Sequence, residues 1–126
     1  MRLRDLSPTI EPVLTATTQH PVMMVPTGDW RLSFWCPMCG KPRSCSIFLG
    51  DSRRDSPRRW KADPLPELAE NEWHQFSVSN ADTWFDRVTI TPSINYAICG
   101  HGPKKPTCGW HGNITNGLVS GPGGPQ

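Results

Sequence analysis

The sequence predicts a mostly β fold: a small zinc-stabilised domain of β-hairpins and sheet, with an extended N-terminal arm and an irregular C-terminal tail. A chain of 126 residues is long enough for one domain. Its 14 Pro and 11 Gly argue against long helices, because Pro breaks helix interiors and Gly weakens them. Only 36% of the residues are hydrophobic, so the thin core needs a metal or disulfides to supplement it.

The first segment, residues 1–28, is predicted to be the extended arm. Prolines at positions 8, 12, 21 and 26 interrupt Thr-rich and apolar stretches, which can form short strands but not a stable helix. Residues 29–119 are predicted to form the zinc-binding β-rich domain. Residues 120–126 are a Gly/Pro tail that cannot contribute to a core.

Within the domain, apolar and polar residues alternate around Leu32 with the period of a strand, which predicts a hairpin over residues 29–50. A short helical turn is expected over residues 64–70, where Pro is followed by acids. Strands are expected over residues 73–78 and 84–90, with Pro92 at a strand end or on a sheet edge. Asn116-Gly117 predicts a final hairpin over residues 110–119.

The strongest motif is a pair of half-sites for a metal. Cys36 and Cys39 are three residues apart on a tight turn, so both thiolates can face one ion. Cys108 and His111 repeat that spacing late in the chain, and together the four residues predict a tetrahedral Cys₃His structural zinc site. Zn²⁺ is therefore the expected cofactor.

The ligand set has rivals. Cys45, Cys99 and His101 could each replace a named ligand, and this alternative stays open. His20 and His74 are isolated in the sequence and are expected to be surface or packing residues. A redox pair is disfavoured for the first half-site, because its flanks predict strands and turns, not a βαβ unit.

The N-terminus shows no secretory signal, since Met1-Arg2-Leu3-Arg4 is followed by Asp5 and not by an apolar run. No apolar stretch is long enough to span a membrane. A reducing compartment is therefore expected, in which cysteines are more often metal ligands than disulfides.

One basic run, residues 53–61, has two interpretations. The first is a solvent-exposed loop without a binding role, since acids are interleaved and the chain's net charge is only +2. The other is a nucleic-acid contact, in which Arg58 and Arg59 bind phosphates and Trp60 stacks on a base.

Three blocks resemble a family of small zinc-binding proteins that is common in tailed bacteriophages, is often labelled "ammonia monooxygenase", and has a bacterial branch that includes the BubE-like peptidases of ubiquitin-like operons. The blocks are Cys36-Pro37-Met38-Cys39-Gly40, Trp84-Phe85-Asp86 with Val88-Thr89-Ile90-Thr91-Pro92-Ser93-Ile94, and Cys108-x-x-His111-x-x-Ile114-x-x-Gly117-x-Val119. The stretch from Asn95 to Thr107 is longer than the usual spacing of that family.

The resemblance implies a bacteriophage protein of the virion or the host cytoplasm. We expect a non-enzymatic virion-associated protein, structural or accessory, whose partners are other phage proteins in an oligomer or larger assembly. The alternative is a BubE-like serine peptidase with Ser93 as nucleophile, His111 or His101 as base and Asp86 as orienting acid. A zinc-bound His111 could not take the serine proton. A nucleic-acid-binding zinc module is the third possibility.

Overall fold

The computed structural model describes residues 1–37, 44–50, 59–95 and 111–120. A short 3₁₀ helix, Leu3–Leu6, precedes the first strand. The remaining elements are β1 Thr9–Ala16, β2 Met24–Trp35, β3 Ser44–Leu49, β4 Arg59–Asp63, β5 Leu68–Glu70, β6 Phe76–Val78, α1 Ala81–Phe85, β7 Thr89–Asn95, β8 His111–Thr115 and β9 Leu118–Ser120. The predicted β-rich character is confirmed.

Seven strands form one sheet in the order β1-β2-β3-β4-β7-β8-β9, and β5 with β6 forms a separate two-stranded hairpin. All neighbours in the large sheet are antiparallel except β3 and β4, which are parallel. As a result β2 and β7 finish at the same end of the sheet, where β3, β4 and β8 start. We call this the cysteine end and the opposite one the turn end.

The core lies on one face of this sheet and draws on both ends of the described chain. Its fully buried members include Leu32, Phe34, Ile90 and Ile114, which alternate with exposed or half-buried positions along their strands. Leu3 from the 3₁₀ helix is also fully buried. The N-terminal residues therefore belong to the folded domain.

The N-terminal segment also covers the β9 edge of the sheet. The amide of Leu3 donates to the carbonyl of Gly117 at 2.8 Å, and the amide of Val119 donates to the carbonyl of Met1 at 2.7 Å. Backbone groups that an edge strand would leave open are thus paired.

The arm predicted for residues 1–28 consequently divides into two parts. Its beginning joins the core and the sheet edge, whereas residues 13–28 form the far half of the β1–β2 hairpin. None of residues 13–28 is buried, and the last pair between β2 and β3 is Trp30 with Leu49. We call residues 13–28 the neutral ribbon, because residues 12–28 contain no Asp, Glu, Lys or Arg.

Two predicted hairpins are confirmed. β2 and β3 pair antiparallel across the first half-site. β8 and β9 are joined by Asn116 and Gly117, whose φ angles of 50° and 77° match the mirror-image turns that favour Asn-Gly.

Three local predictions are wrong. Residues 64–70 end in strand β5 and contain no helical turn. The strand expected from residue 84 is preceded by helix α1, in which Trp84 is buried and donates from Nε1 to the carbonyl of Pro64 at 2.7 Å. Pro92 lies inside the central strand β7, where the register with β8 shifts between Ile90 and Ile94. At such an irregularity the strand ladder does not require the backbone N–H that Pro92 lacks.

Candidate metal centre and exposed surfaces

The topology brings one member of each predicted zinc half-site to the same end of the sheet. Cys36 directly follows β2, and His111 is the first residue of β8, so both lie at the cysteine end. The chain between β2 and β3 starts and finishes at this end, and so does the chain between β7 and β8. Cys39 belongs to the first of these stretches and Cys108 to the second, and both lie outside the described residues.

The rival ligands come from the strand or connection next to each half-site in the sequence. Cys45 is the second residue of β3, and Cys99 and His101 belong to the undescribed stretch between β7 and β8. By contrast, His20 lies in the β1–β2 turn at the turn end, and His74 lies in the β5–β6 loop. The sheet order thus separates the two histidines judged isolated from the set that can supply ligands.

Cys36 itself is fully buried, at 0% exposure. It continues the face of β2 that carries Leu32 and Phe34. Because Phe34 is the register partner of Cys45, the backbone position of Cys45 lies diagonally across from Cys36. This places Cys45 near the first half-site and keeps it in competition as a ligand.

The two half-sites start from strands that are not adjacent. Four inter-strand steps separate β2 from β8, which amounts to about 19 Å in a flat sheet at about 4.8 Å per step. The 15 residues between Asn95 and His111 can reach about 50 Å at about 3.3 Å per residue, which is more than twice that distance. A shared ion would thus require the connections to fold over the ends of the intervening strands.

Within the described ranges, no three His, Cys, Asp or Glu side chains form a group that could hold a metal. Cys36 is the one predicted ligand whose side chain is among those described. The ligand set Cys36, Cys39, Cys108 and His111 therefore stays a prediction.

Ser93 lies in β7 beside the register irregularity and is half-buried. Its carbonyl accepts a hydrogen bond from Trp60 Nε1 at 3.3 Å. Ser93 precedes by two residues Asn95, the register partner of His111. The backbone thus places the candidate nucleophile near the candidate base on the neighbouring strand.

The other groups proposed for catalysis lie elsewhere. Arg4 binds both carboxylate oxygens of Asp86, from Nε at 3.0 Å and from Nη2 at 2.6 Å. Asp86 precedes β7 at the turn end, at least about 20 Å along the strand direction from Asn95 at about 3.3 Å per residue. It is therefore too far to orient a base near Ser93. His101 lies outside the described residues.

The proposed nucleic-acid contact is only partly described. Arg58 and the side chain of Arg59 lie outside the described part of the chain. Trp60 is half-buried, packs against the core and makes the hydrogen bond to Ser93. Its indole is thus already used within the fold, which leaves less of it for stacking on a base.

Two polar clefts of about 370 and 350 Å³ lie at the turn end. Both are lined by Asp86 and Asn116. Neither has Ser93 or a described cysteine in its wall, so these clefts do not enlarge the predicted site.

Two surface features escaped the sequence interpretation. The tip of the neutral ribbon exposes Val22, Met23 and Met24, at 64%, 44% and 51%. Trp73, predicted in a strand, is 75% exposed in the β5–β6 loop. The absence of charge over residues 12–28 was the available signal for the first feature.

A second charge signal is the block of residues 62–86, which holds six of the chain's 11 acids and no Lys or Arg. All six acids are exposed. They are Asp63, Glu67, Glu70, Glu72, Asp82 and Asp86. The exposed Trp73 belongs to this acidic block.

No family model, curated protein or solved structure matches the chain. The resemblance to the phage family therefore remains a prediction carried by its three blocks. In the described part of the chain, no helix has the length and apolar character needed to cross a membrane.

The structure gives several shared positions of those blocks a packing role. Trp84 and Val88 are buried, and Ile114 pairs with Ile90 in the core. The amide of Gly117 donates to the carbonyl of Val88 at 2.9 Å. Much of the second and third blocks therefore contributes to the packing of one part of the fold.

Proposed function

We propose that this chain is a non-enzymatic, zinc-stabilised bacteriophage protein that mediates protein–protein interaction, as a structural or accessory component of the virion. The neutral ribbon is the observation that carries the interaction. It adds no buried residue to the core, yet it holds three exposed apolar side chains at its tip. Such exposure is typical of a surface that another protein covers.

In the described part of the chain, the surface charge favours a protein partner over nucleic acid. The ribbon carries no charge, and the acidic block repels phosphates. The phage context rests on the three resembling blocks alone.

In this proposal zinc stabilises the fold and takes no part in catalysis. An ion shared by the two half-sites ties the β2–β3 connection to the β7–β8 connection, and Cys₃His is a closed donor set with no open position for substrate. The clip would restrict a long loop in the unfolded chain, which stabilises the folded domain. The zinc would then stabilise the cysteine end of the sheet, and the ribbon would extend from the opposite end.

The metal part is tested by elemental analysis of the purified chain. We expect about one zinc per chain, lost in Cys39→Ser and in Cys108→Ser because each removes a thiolate from a closed four-ligand site. His20→Asn is the matched control, since His20 lies at the turn end, and it should keep the metal. Full zinc content in both serine variants would contradict the ligand set.

The interaction part is tested with proteinase K on the free protein and on purified particles. We expect cleavage within residues 13–28 in the free protein, because this ribbon lacks buried anchors. The same residues should be protected in the particle. Absence of the chain from purified particles would refute the virion assignment.

The peptidase alternative is favoured by one observation, the proximity in register of Ser93 to His111. Its test is cleavage of a ubiquitin-like fusion protein by the wild-type chain and by Ser93→Ala. Cleavage that disappears in Ser93→Ala, but persists in the control Ser77→Ala on exposed strand β6, would replace the non-enzymatic proposal. No cleavage by the wild-type chain would remove the alternative.

A further inference from the structure

The free edge of β1 is the second feature of the ribbon that needs an explanation. β1 is the last strand of the large sheet, and only β2 pairs with it in the described part of the chain. β6 lies against β1 without forming a ladder. An edge strand presents unpaired N–H and C=O groups that can template pairing with another strand.

Among the described residues, the features of β1 that protect this edge against such pairing lie at its start. Natural edges are blunted by charges, by Pro or by a bulge. Here Pro12 and the register shift between Pro12 and Leu14, which includes Val13, interrupt the strand, but the paired residues Leu14, Thr15 and Ala16 follow with none of the three. The nearest charge in the strand is Glu11, whose carboxylate lies 3.6 Å from Arg31 Nε.

The opposite edge strand of the same sheet, β9, is covered by the N-terminal residues. Residues 1–3 pair with residues 117–119 there through two backbone hydrogen bonds. The contrast indicates that the β1 edge is left available, since the chain has a segment that covers the other one.

We propose that the β1 edge of the neutral ribbon pairs with the β1 edge of a second copy of this chain, antiparallel across a two-fold axis. An antiparallel edge is complementary to itself under such a rotation. A ribbon without charge meets its own copy without like-charge repulsion, which is the electrostatic condition that self-pairing requires. The exposed Val22, Met23 and Met24 then lie at the margin of the interface, where the second copy shields them from water.

This inference rests on the proposed interaction function and names its partner. Thr15 is the position that tests it, because it is exposed and lies in the unprotected part of β1. Thr15→Lys and Thr15→Glu each place like charges on the two paired edges. A mixture of the two variants places opposite charges there instead.

The experiment is light scattering with size-exclusion chromatography on the full chain, in reducing buffer with zinc, over a range of concentrations. We expect a concentration-dependent dimer whose dissociation constant rises at least about fivefold in each single variant. The equimolar mixture should recover the dimer. Thr115→Lys and Thr115→Glu are the matched controls, since Thr115 is exposed on the interior strand β8.

A wild-type chain that is monomeric at every concentration would overturn the self-pairing, and so would a dimer that neither Thr15 variant weakens. Failure of the mixture to recover also overturns it. Zinc content and particle incorporation are measured on the same samples. A monomer that keeps its zinc and enters particles refutes the pairing while leaving the proposed function in place.

Discussion

The two end hairpins of the sheet use the same antiparallel pairing but are anchored in opposite ways. In the β8–β9 hairpin, Ile114 and Val119 are buried, the turn packs on the residues that follow α1, and the N-terminal segment pairs with the outer strand. The distal β1–β2 hairpin has no buried residue. Pairing alone therefore does not tell which hairpin stabilises the fold, because a two-stranded ribbon is only marginally stable without packing.

Truncating an apolar side chain should give the largest difference between the two hairpins in the free energy of unfolding that is lost. Ile114→Ala removes a side chain at 0% exposure and should cost about 3–5 kcal/mol in the free energy of unfolding, through lost burial and a residual cavity. Leu14→Ala, in the half-buried ribbon, should cost less than about 1 kcal/mol. Urea denaturation followed by circular dichroism measures both. Equal losses would show that the ribbon is as much a part of the core as β8.

The glycines of the two hairpins allow a closer test. Gly117→Ala would place a Cβ 2.6 Å from the carbonyl oxygen of Phe85, and φ is +77°. We expect a loss of about 2–4 kcal/mol, because both contacted groups are backbone and cannot turn away.

Gly28→Ala is the control, since φ is +91° but nothing lies within 4 Å of its Cβ. It should cost only the backbone strain, about 1 kcal/mol. Thermal unfolding of both variants would show the difference. A Gly28→Ala loss as large as that of Gly117→Ala would mean that the ribbon packs more tightly than its exposure indicates.

The smallest effect is expected at the ion pair that ties the N-terminal segment to Asp86. Arg4 and Asp86 side chains are 50% and 39% exposed, so solvent screens their attraction. Arg4→Met should lower the free energy of unfolding by less than about 1 kcal/mol. Arg31→Met, which removes the exposed pair with Glu11 near the ribbon, is the control, and chemical denaturation compares the two. A loss above about 2 kcal/mol at Arg4 alone would show that the pair anchors the sheet edge.

The fold was predictable where a short stretch of sequence decides the local conformation. Asn116-Gly117 specifies a tight hairpin because both residues tolerate positive φ. The strand pattern around Leu32 likewise gives β2. Helix α1 was missed because Trp84 and Phe85 favour strands by propensity, whereas their burial against Pro64 and the core selects the helix.

The site was predictable in its residue types but not in its geometry. The Cys36–Cys39 spacing predicts a metal half-site from local chemistry alone. Which residues from the second half meet it depends on the parallel pairing of β3 with β4, which no local pattern encodes. Residues 13–28 were expected in an extended arm, but the exposed apolar tip was not predicted, since apolar residues such as Val22 and Met23 are more often buried.

The pairing of residues 1–3 with residues 117–119 also bears on how fast the chain folds. These contacts join positions more than 110 residues apart in sequence. Ordering so much chain before its contacts form is costly in entropy, and folds rich in such contacts reach the native state slowly. Until these contacts form, β9 lacks its cover, so an incompletely folded chain exposes a strand edge that the finished molecule pairs.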